Sequence, residues 1–368
     1  MKIGARQFTI LVILVTIGDS LLVLPAIPAF EAKQDAWIAA IVGLIIGLVV
    51  IYLICTVGKL YPQLTLIQYS EKILGKWPGK MVGFLFLCYL FVSISTHTRE
   101  IDDFFTTEIL PNTPMMAISF LFIGIVVMAA ILGLEVIARS AELFFPIFLT
   151  LFFVLIVCLT PQIELQNLQP IFEGGMKPIL RGSFATTAFP FMEDVVFLMI
   201  FPNIIQAEKI KKRFIIGAML GGIVLILFIT VSILVLGPYD VANSIYPGYA
   251  LSKKINIGNF IQRIEIILAV MWLLTTYIKV AFYFYIMNLG LVQIMEIKNG
   301  KNLPFALPLG LIVIVFSLLV SPHIAYIIHV ISAYWPFLDG VYSVLLPLLL
   351  LFVYWLRKIF KKQDKWSS

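Results

Sequence analysis

Charge is what this sequence has least of. Of 368 residues, 12% are Asp, Glu, Lys or Arg, about half the share of roughly 25% found in a typical soluble domain. No water-facing surface can be built from that, which excludes a soluble protein. Cysteine is scarce too. Cys55, Cys88 and Cys158 are odd in number, each lies inside an apolar run, and none has metal-type spacing. They read as small apolar core residues rather than a disulfide framework. His97, His323 and His329 are scattered, with no His, Cys or carboxylate cluster at ligand spacing, so no metal is expected. There is no G-x-S-x-G elbow, P-loop or dinucleotide fingerprint, and neither an enzymatic role nor a cofactor is expected. Low-complexity tracts and linkers are absent.

What is present is apolar length. Hydrophobic residues make up 61% of the chain, and runs of about 20 recur from end to end, each long enough to cross a hydrocarbon core roughly 30 Å thick. Punctuation by charge, Gly and Pro predicts spans near 7–30, 36–60, 80–109, 115–134, 138–160, 178–203, 213–236, 260–289, 304–320 and 336–357. The fold class is therefore all-α integral membrane, with about ten transmembrane helices. Residues 1–368 read as a single polytopic membrane domain, with a first half of about 1–160, a second of about 161–357 and a short basic tail, 358–368. The run after Lys2 and Arg6 lacks a clean small-residue cleavage site and reads as the first span, not a signal peptide.

The net charge of +6 suggests nucleic acid, but the basic residues fall in short segments between spans rather than along one face, so no nucleic-acid partner is expected. Topology explains them better. With the N-terminus inside, 18 of the 26 Lys and Arg fall in one set of segments: Lys2 and Arg6, Lys59 to Lys80, Arg139, Lys209 to Arg213, Lys298 and Lys301, and Arg357 to Lys365. Six fall in the other set, namely Lys33, Lys177, Arg181, Lys253, Lys254 and Arg263, while Arg99 and Lys279 lie within spans. The excess predicts that both termini are cytoplasmic. Leu64 to Lys76 is expected to lie along the inner membrane surface as a short helix, and His323 to Tyr334 along the outer one. Gly43 with Gly47, and Gly217 with Gly221, have the small-xxx-small spacing of close helix packing, within the bundle or at a dimer face.

Two spans carry interruptions. Span 1 has Gly18, Asp19 and Ser20 at its middle, and span 6 has Phe189, Pro190, Glu193 and Asp194 at mid-depth, where Pro190 removes a donor and obstructs the preceding turn. A broken helix in lipid requires protein, water or ligand to meet its freed backbone groups, so each break implies a cavity. Breaks five spans apart are the sign of a five-plus-five inverted repeat with the substrate site between them. Buried ionisable groups in spans are costly and seek partners. Here they are Asp19, Arg99, Glu193, Asp194 and Lys279. In such a repeat spans 1 and 8 pack together, so Lys279 is placed to neutralise Asp19 where related transporters hold a sodium ion; bracing of the bundle is the alternative. Arg99, with Asp103 one turn on and Glu100, Asp102 and Glu108 nearby, reads as a network at the outer end of span 3. Glu193 is balanced between gating and structure.

Several landmarks agree in order and spacing with a known family. They are Gly18-Asp19-Ser20-Leu21-Leu22-Val23-Leu24-Pro25; Gln68-Tyr69 and Leu74-Gly75-Lys76; Thr98-Arg99 and Pro111-Asn112-Thr113-Pro114; Asn167-Leu168-Gln169-Pro170 and Gly175-Met176-Lys177-Pro178; Met192-Glu193; and Asn259 to Glu265, followed by Met271-Trp272. Over essentially its whole length the chain resembles the B-subunit family of spore germination receptors, the endospore germination permeases of the amino acid-polyamine-organocation superfamily. The resemblance implies a LeuT-type fold in the inner membrane of a dormant spore and a small germinant, usually an amino acid. It also implies two partners: an A subunit with large soluble portions and a lipoprotein C subunit. By position it implies a ligand pocket lined by Gly18, Asp19, Ser20, Tyr89, Ser93, Phe189, Pro190, Thr276 and Lys279, with Arg99 and Glu193 in gating or coupling. A free Asp19 favours a cationic or amino-bearing ligand. A proton-coupled amino acid or polyamine permease, using Asp19, Glu193 or Lys279, is the alternative.

Overall fold

An apolar segment in lipid must satisfy its backbone groups internally, and helix is the way an unbroken run does so. The computed structural model describes residues 2–255, 265–297, 305–321, 324–327 and 332–363. In chain order its helices are α1 (Ala5–Ile17), α2 (Ser20–Val23), α3 (Ala26–Ala32), α4 (Ala36–Gly58), α5 (Leu66–Leu74), α6 (Lys76–Phe104), α7 (Met115–Leu132) and α8 (Leu134–Leu159). There follow α9 (Met176–Thr187), α10 (Ile210–Leu236), α11 (Pro238–Asn243), α12 (Pro247–Lys253), α13 (Glu265–Ile294), α14 (Ala306–Val320), α15 (Ile324–Tyr326), α16 (Ser332–Gly340) and α17 (Leu346–Gln363).

Among the described residues, eight helical stretches are long and apolar enough to cross a membrane. The shorter apolar α14 and the interrupted segment from α9 to Met199 complete the ten spans expected. The protein is an integral membrane protein. Span 5 begins at Leu134, four residues earlier than the sequence pattern places it, because Gly133, at φ 95°, ends α7 and opens α8 at once. The predicted surface helix is α5, whose start is set by Thr65 and Gln68. The Thr65 hydroxyl accepts from the Gln68 N–H at 3.4 Å, and the Gln68 side chain accepts from the Thr65 N–H at 3.1 Å, a reciprocal cap. The helices α11 and α12, between spans 7 and 8, carry no sequence expectation. Of the expected helix from His323 to Tyr334, α15 and the start of α16 are described, whereas His323 and residues 328–331, the starts of spans 8 and 9, the landmarks Asn259 to Ile264, and Lys298, Lys301, Arg263 and Lys365 lie outside the described residues.

Both small-residue pairs pack inside the bundle. Gly43 on α4 meets Thr186, and Gly47 meets the Phe191 ring, so α4 lies directly against the interrupted span 6. Gly217 and Gly221 on α10 lie against Val12 and Thr16 of α1. A Cβ at any of these positions would enter its neighbour, which explains why glycine stands there. The end of the bundle that carries the N-terminus is tied by backbone: Ile3 donates to Asn203 and accepts from Ile205, both at 2.9 Å. Phe8 stacks edge-on against Phe197, Phe201 and Phe214 just inside that tie. At the same end Glu296 accepts from Lys80 at 2.7 Å and pairs with Lys76 at 2.9 Å, joining the ends of spans 3 and 8. The hydrogen bond from Lys80, seconded by Lys76, holds the Glu296 carboxyl down at about 2.

Candidate functional site

The first span breaks at Gly18, where φ is +41°. Only glycine takes that conformation without strain, and a Cβ there would come within 2.5 Å of Lys279 Cδ and 2.9 Å of the Val15 carbonyl oxygen. The carbonyls freed by the break are met from α13. Thr275 donates to the Gly18 oxygen at 2.6 Å, Thr276 reaches it at 3.5 Å, and the Trp272 indole donates to the Asp19 oxygen at 3.0 Å. This is how a membrane helix can be interrupted without leaving orphaned polar groups. The second break is gentler. After α9 the chain makes one π-helical turn, Ala188–Met192, then a tighter 3-10 stretch, Glu193–Met199. Pro190 causes it, having no N–H to continue the ladder.

Between the breaks stands Lys279, 1% exposed, its ammonium 2.6 Å from Asp19 Oδ1 and 2.7 Å from Glu193 Oε2. One cation thus ties break 1 to break 2. Glu193 is saturated: Oε2 also accepts from the Tyr283 hydroxyl at 3.0 Å, and Oε1 from the Trp335 indole at 2.9 Å. His97 faces Asp19 from α6, with Nε2 3.2 Å from the same Oδ1. Its Nδ1 lies 2.6 Å from the Ser93 carbonyl, which only accepts, so Nδ1 carries a proton. Asp194 accepts from Thr16 at 3.0 Å on one oxygen, and its other oxygen is buried without a hydrogen-bond partner. Asp339 repeats this pattern: the Tyr89 hydroxyl donates to Oδ1 at 2.8 Å, and Oδ2 is buried and unpartnered. Ser20 Oγ, at the start of α2, is a third such atom.

The structure therefore brings Gly18, Asp19, Thr276 and Lys279 together, with Glu193 joining them. Ser93 is attached through His97. Tyr89 lies one step away, bonded to Asp339 and stacked on Trp335 with ring centroids 5.8 Å apart. Phe189, half-buried, and Pro190, buried, stand on the π-helical turn just before Glu193. Arg99 is elsewhere. It donates to Asp103 at 2.9 Å and reaches the Leu318 carbonyl at 3.4 Å, bracing span 3 against span 9.

Two sequence expectations need correction. His97 is not scattered, because Asp19, His97 and Glu100 place side-chain donor atoms within 4.8 Å of one another. His97 and Glu100 are one turn apart on α6, but the contact with Asp19 crosses between spans, which sequence spacing hides. The trio does not read as a metal centre, because the Lys279 ammonium already supplies the positive charge at Asp19 Oδ1. Glu100 accordingly belongs to this cluster and not to an outer network, and Glu108 pairs with Lys253 at 2.8 Å. Of the two arrangements left open for Asp19, free or paired with Lys279, the structure has the paired one, its Oδ1 meeting both Lys279 and His97. Asp339, Tyr283 and Trp335 are functional candidates that the sequence reading missed. Asp339 is an acid inside an apolar span, the signal that singled out Asp19. Tyr283 follows Lys279 by one helical turn and so shares its face.

The family model described as "Spore germination protein" matches residues 2–324. The chain is 27% identical over 363 residues to spore germination protein KB of Bacillus subtilis (strain 168), covering 97% of this chain and 96% of that protein. It is 27% identical over 329 residues to spore germination protein YndE of the same organism, covering 87% of each. In structure it is similar to Mhp1, a nucleobase-cation-symport-1 family transporter solved closed with bromovinylhydantoin bound. The TM-score is 0.65 at 12% identity, covering 93% of this chain and 77% of that one. It is similar too to MhsT in complex with L-phenylalanine, with a TM-score of 0.64 at 13% identity, covering 95% and 97%. These likenesses give the fold, the LeuT type with broken helices 1 and 6. The matched proteins are germination proteins and transporters rather than enzyme families.

Proposed function

The chain belongs to the spore germination protein family, and from that premise we propose that it is the B subunit of a spore germinant receptor, binding a small germinant in a mid-membrane pocket between its two broken spans. The germinant is an amino acid in this reading. The protein sits in the spore inner membrane with both termini cytoplasmic, and it signals through an A subunit and a lipoprotein C subunit. Gly18, Asp19, Ser20, Tyr89, Ser93, Phe189, Pro190, Thr276 and Lys279 form the pocket, and Glu193 couples it to the second break. Arg99 braces the outer half.

One observation carries this reading: Lys279 bridges Asp19 in the first break and Glu193 in the second, at 2.6 and 2.7 Å. A covalently held ammonium fills the position between the breaks and cannot be exchanged for a driving ion. A ligand entering there must redistribute these contacts, which couples occupancy to the relative position of spans 1, 6 and 8. Such a ligand shifts the bundle only by binding one arrangement better than the other. A second reading, a proton-coupled permease, draws on Asp194 and Asp339, each with a buried oxygen lacking a hydrogen-bond partner.

Ser20 offers the cleanest test, because its buried hydroxyl has no hydrogen-bond partner within the protein. Ser20→Ala should leave the amount of protein in spore membranes unchanged. It should raise the germinant concentration for half-maximal response by about tenfold or more, since a hydrogen bond to a charged ligand group is worth about 1.5–3 kcal/mol. An unaltered dose-response curve would remove Ser20, and the first break, from the pocket.

A further inference from the structure

At the end of the bundle opposite the N-terminus, α3, α9, α11 and α16 line a cavity of about 900 Å³. That lies within the range of small-molecule sites, roughly 300–1,000 Å³. Its walls include Phe30, Phe184 and Pro336, and its charged residues are Glu31 from α3 with Lys177 and Arg181 from α9. Glu31 and Arg181 stand 3.9 Å apart, beyond hydrogen-bond reach. An acid and a base held close without bonding each other keep their hydrogen-bonding capacity for something between or beside them.

We propose that this cavity is a second ligand site, separate from the pocket at the breaks, that takes a small zwitterion with an apolar side chain: a free amino acid. The Arg181 guanidinium is the fork for its carboxylate, with Lys177 as a second cation. Glu31 takes the ammonium, and the aromatic walls take the side chain. The site stands on its own lining residues and does not depend on the mid-membrane reading. It still bears on that region, because Pro336 in its wall is adjacent to Trp335, whose indole holds Glu193.

Ala333, exposed in the cavity wall, provides the probe. The full-length protein, with Cys88 and Cys158 replaced by alanine and Ala333→Cys introduced, is purified in detergent and alkylated with N-ethylmaleimide. The standard amino acids other than cysteine, whose thiol would consume the maleimide, are present one at a time at about 20 mM, or at saturation for tyrosine, enough to occupy a site of millimolar Kd. At least one apolar amino acid is expected to slow alkylation about tenfold, the factor 1 + [L]/Kd for a Kd near 2 mM. Its amide, which lacks the carboxylate, and its deaminated acid, which lacks the ammonium, should not. Glu31→Gln or Arg181→Gln should abolish protection, while Ser20→Ala should leave it intact, so a failed mid-membrane pocket cannot be mistaken for a failed outer site. Protection by none of these amino acids, equal protection by the amide and the acid, or protection that survives both charge variants would each overturn the proposal. So would protection by phosphatidylethanolamine alone, which would make the site a lipid headgroup cradle.

Discussion

Lys279→Met is expected to destabilise the protein by about 3–5 kcal/mol, the usual cost of removing one partner of a buried ion pair. The ammonium is 1% exposed and is the cation at 2.6–2.7 Å from both Asp19 and Glu193. Its loss leaves two carboxylates facing each other at the centre of the membrane domain. Methionine nearly conserves volume, so the effect is one of charge and not of a cavity. The compensating variants make the argument specific. Asp19→Asn/Lys279→Met should recover part of the loss, and adding Glu193→Gln should recover most of it, because neutral amides no longer need the cation. Unfolding of the purified protein, followed against denaturant, reads these differences. Independent, additive effects of the three substitutions would mean that the charges brace separate parts of the bundle.

Gly18→Ala is expected to cost about 2–5 kcal/mol and to abolish the germinant response. The left-handed φ contributes roughly 1–2 kcal/mol of that. Crowding against Lys279 Cδ and the Val15 carbonyl, at 2.5 and 2.9 Å, contributes about 1–3 kcal/mol. The clash also pushes Lys279 away from Asp19, so binding and stability fall together. Gly124→Ala is the control, since an added Cβ there meets nothing within 4 Å. Equal melting temperatures for the two variants would contradict the geometry of the first break.

How far this was legible from sequence depends on whether a feature is local. Length and hydropathy place nine helices and an interrupted sixth span, because the requirement to satisfy backbone groups in lipid leaves a single option per apolar run. The break at Gly18-Asp19-Ser20 and that at Pro190 are local too, each announced by a residue that cannot or need not continue a helix. The pairing of Lys279 with Asp19 was within reach because fold topology puts spans 1 and 8 side by side. His97 was not legible. Only Glu100, three residues on, shares its helix face as a liganding residue, and its partner Asp19 is 78 positions earlier in the chain. Glu100 was misplaced for the same reason: its sequence neighbours Arg99, Asp102 and Asp103 suggested a single network, but successive residues on a helix point in different directions. Arg99 turns toward Asp103 and Leu318, whereas Glu100 joins Asp19 and His97. The outer cavity could not be read at all, since it is made by the separation of four helices.

The measurement closest to the central claim is the loss of optical density of spores lacking this gene, exposed separately to single amino acids, sugars and nucleosides beside wild-type spores. The account predicts that the mutant loses its response to one germinant, most directly an amino acid, and that the restored gene returns the response while the Lys279→Met gene does not. If every germination response survives and growing cells instead lose uptake of an amino acid, the chain is a working permease and the sensing assignment is contradicted.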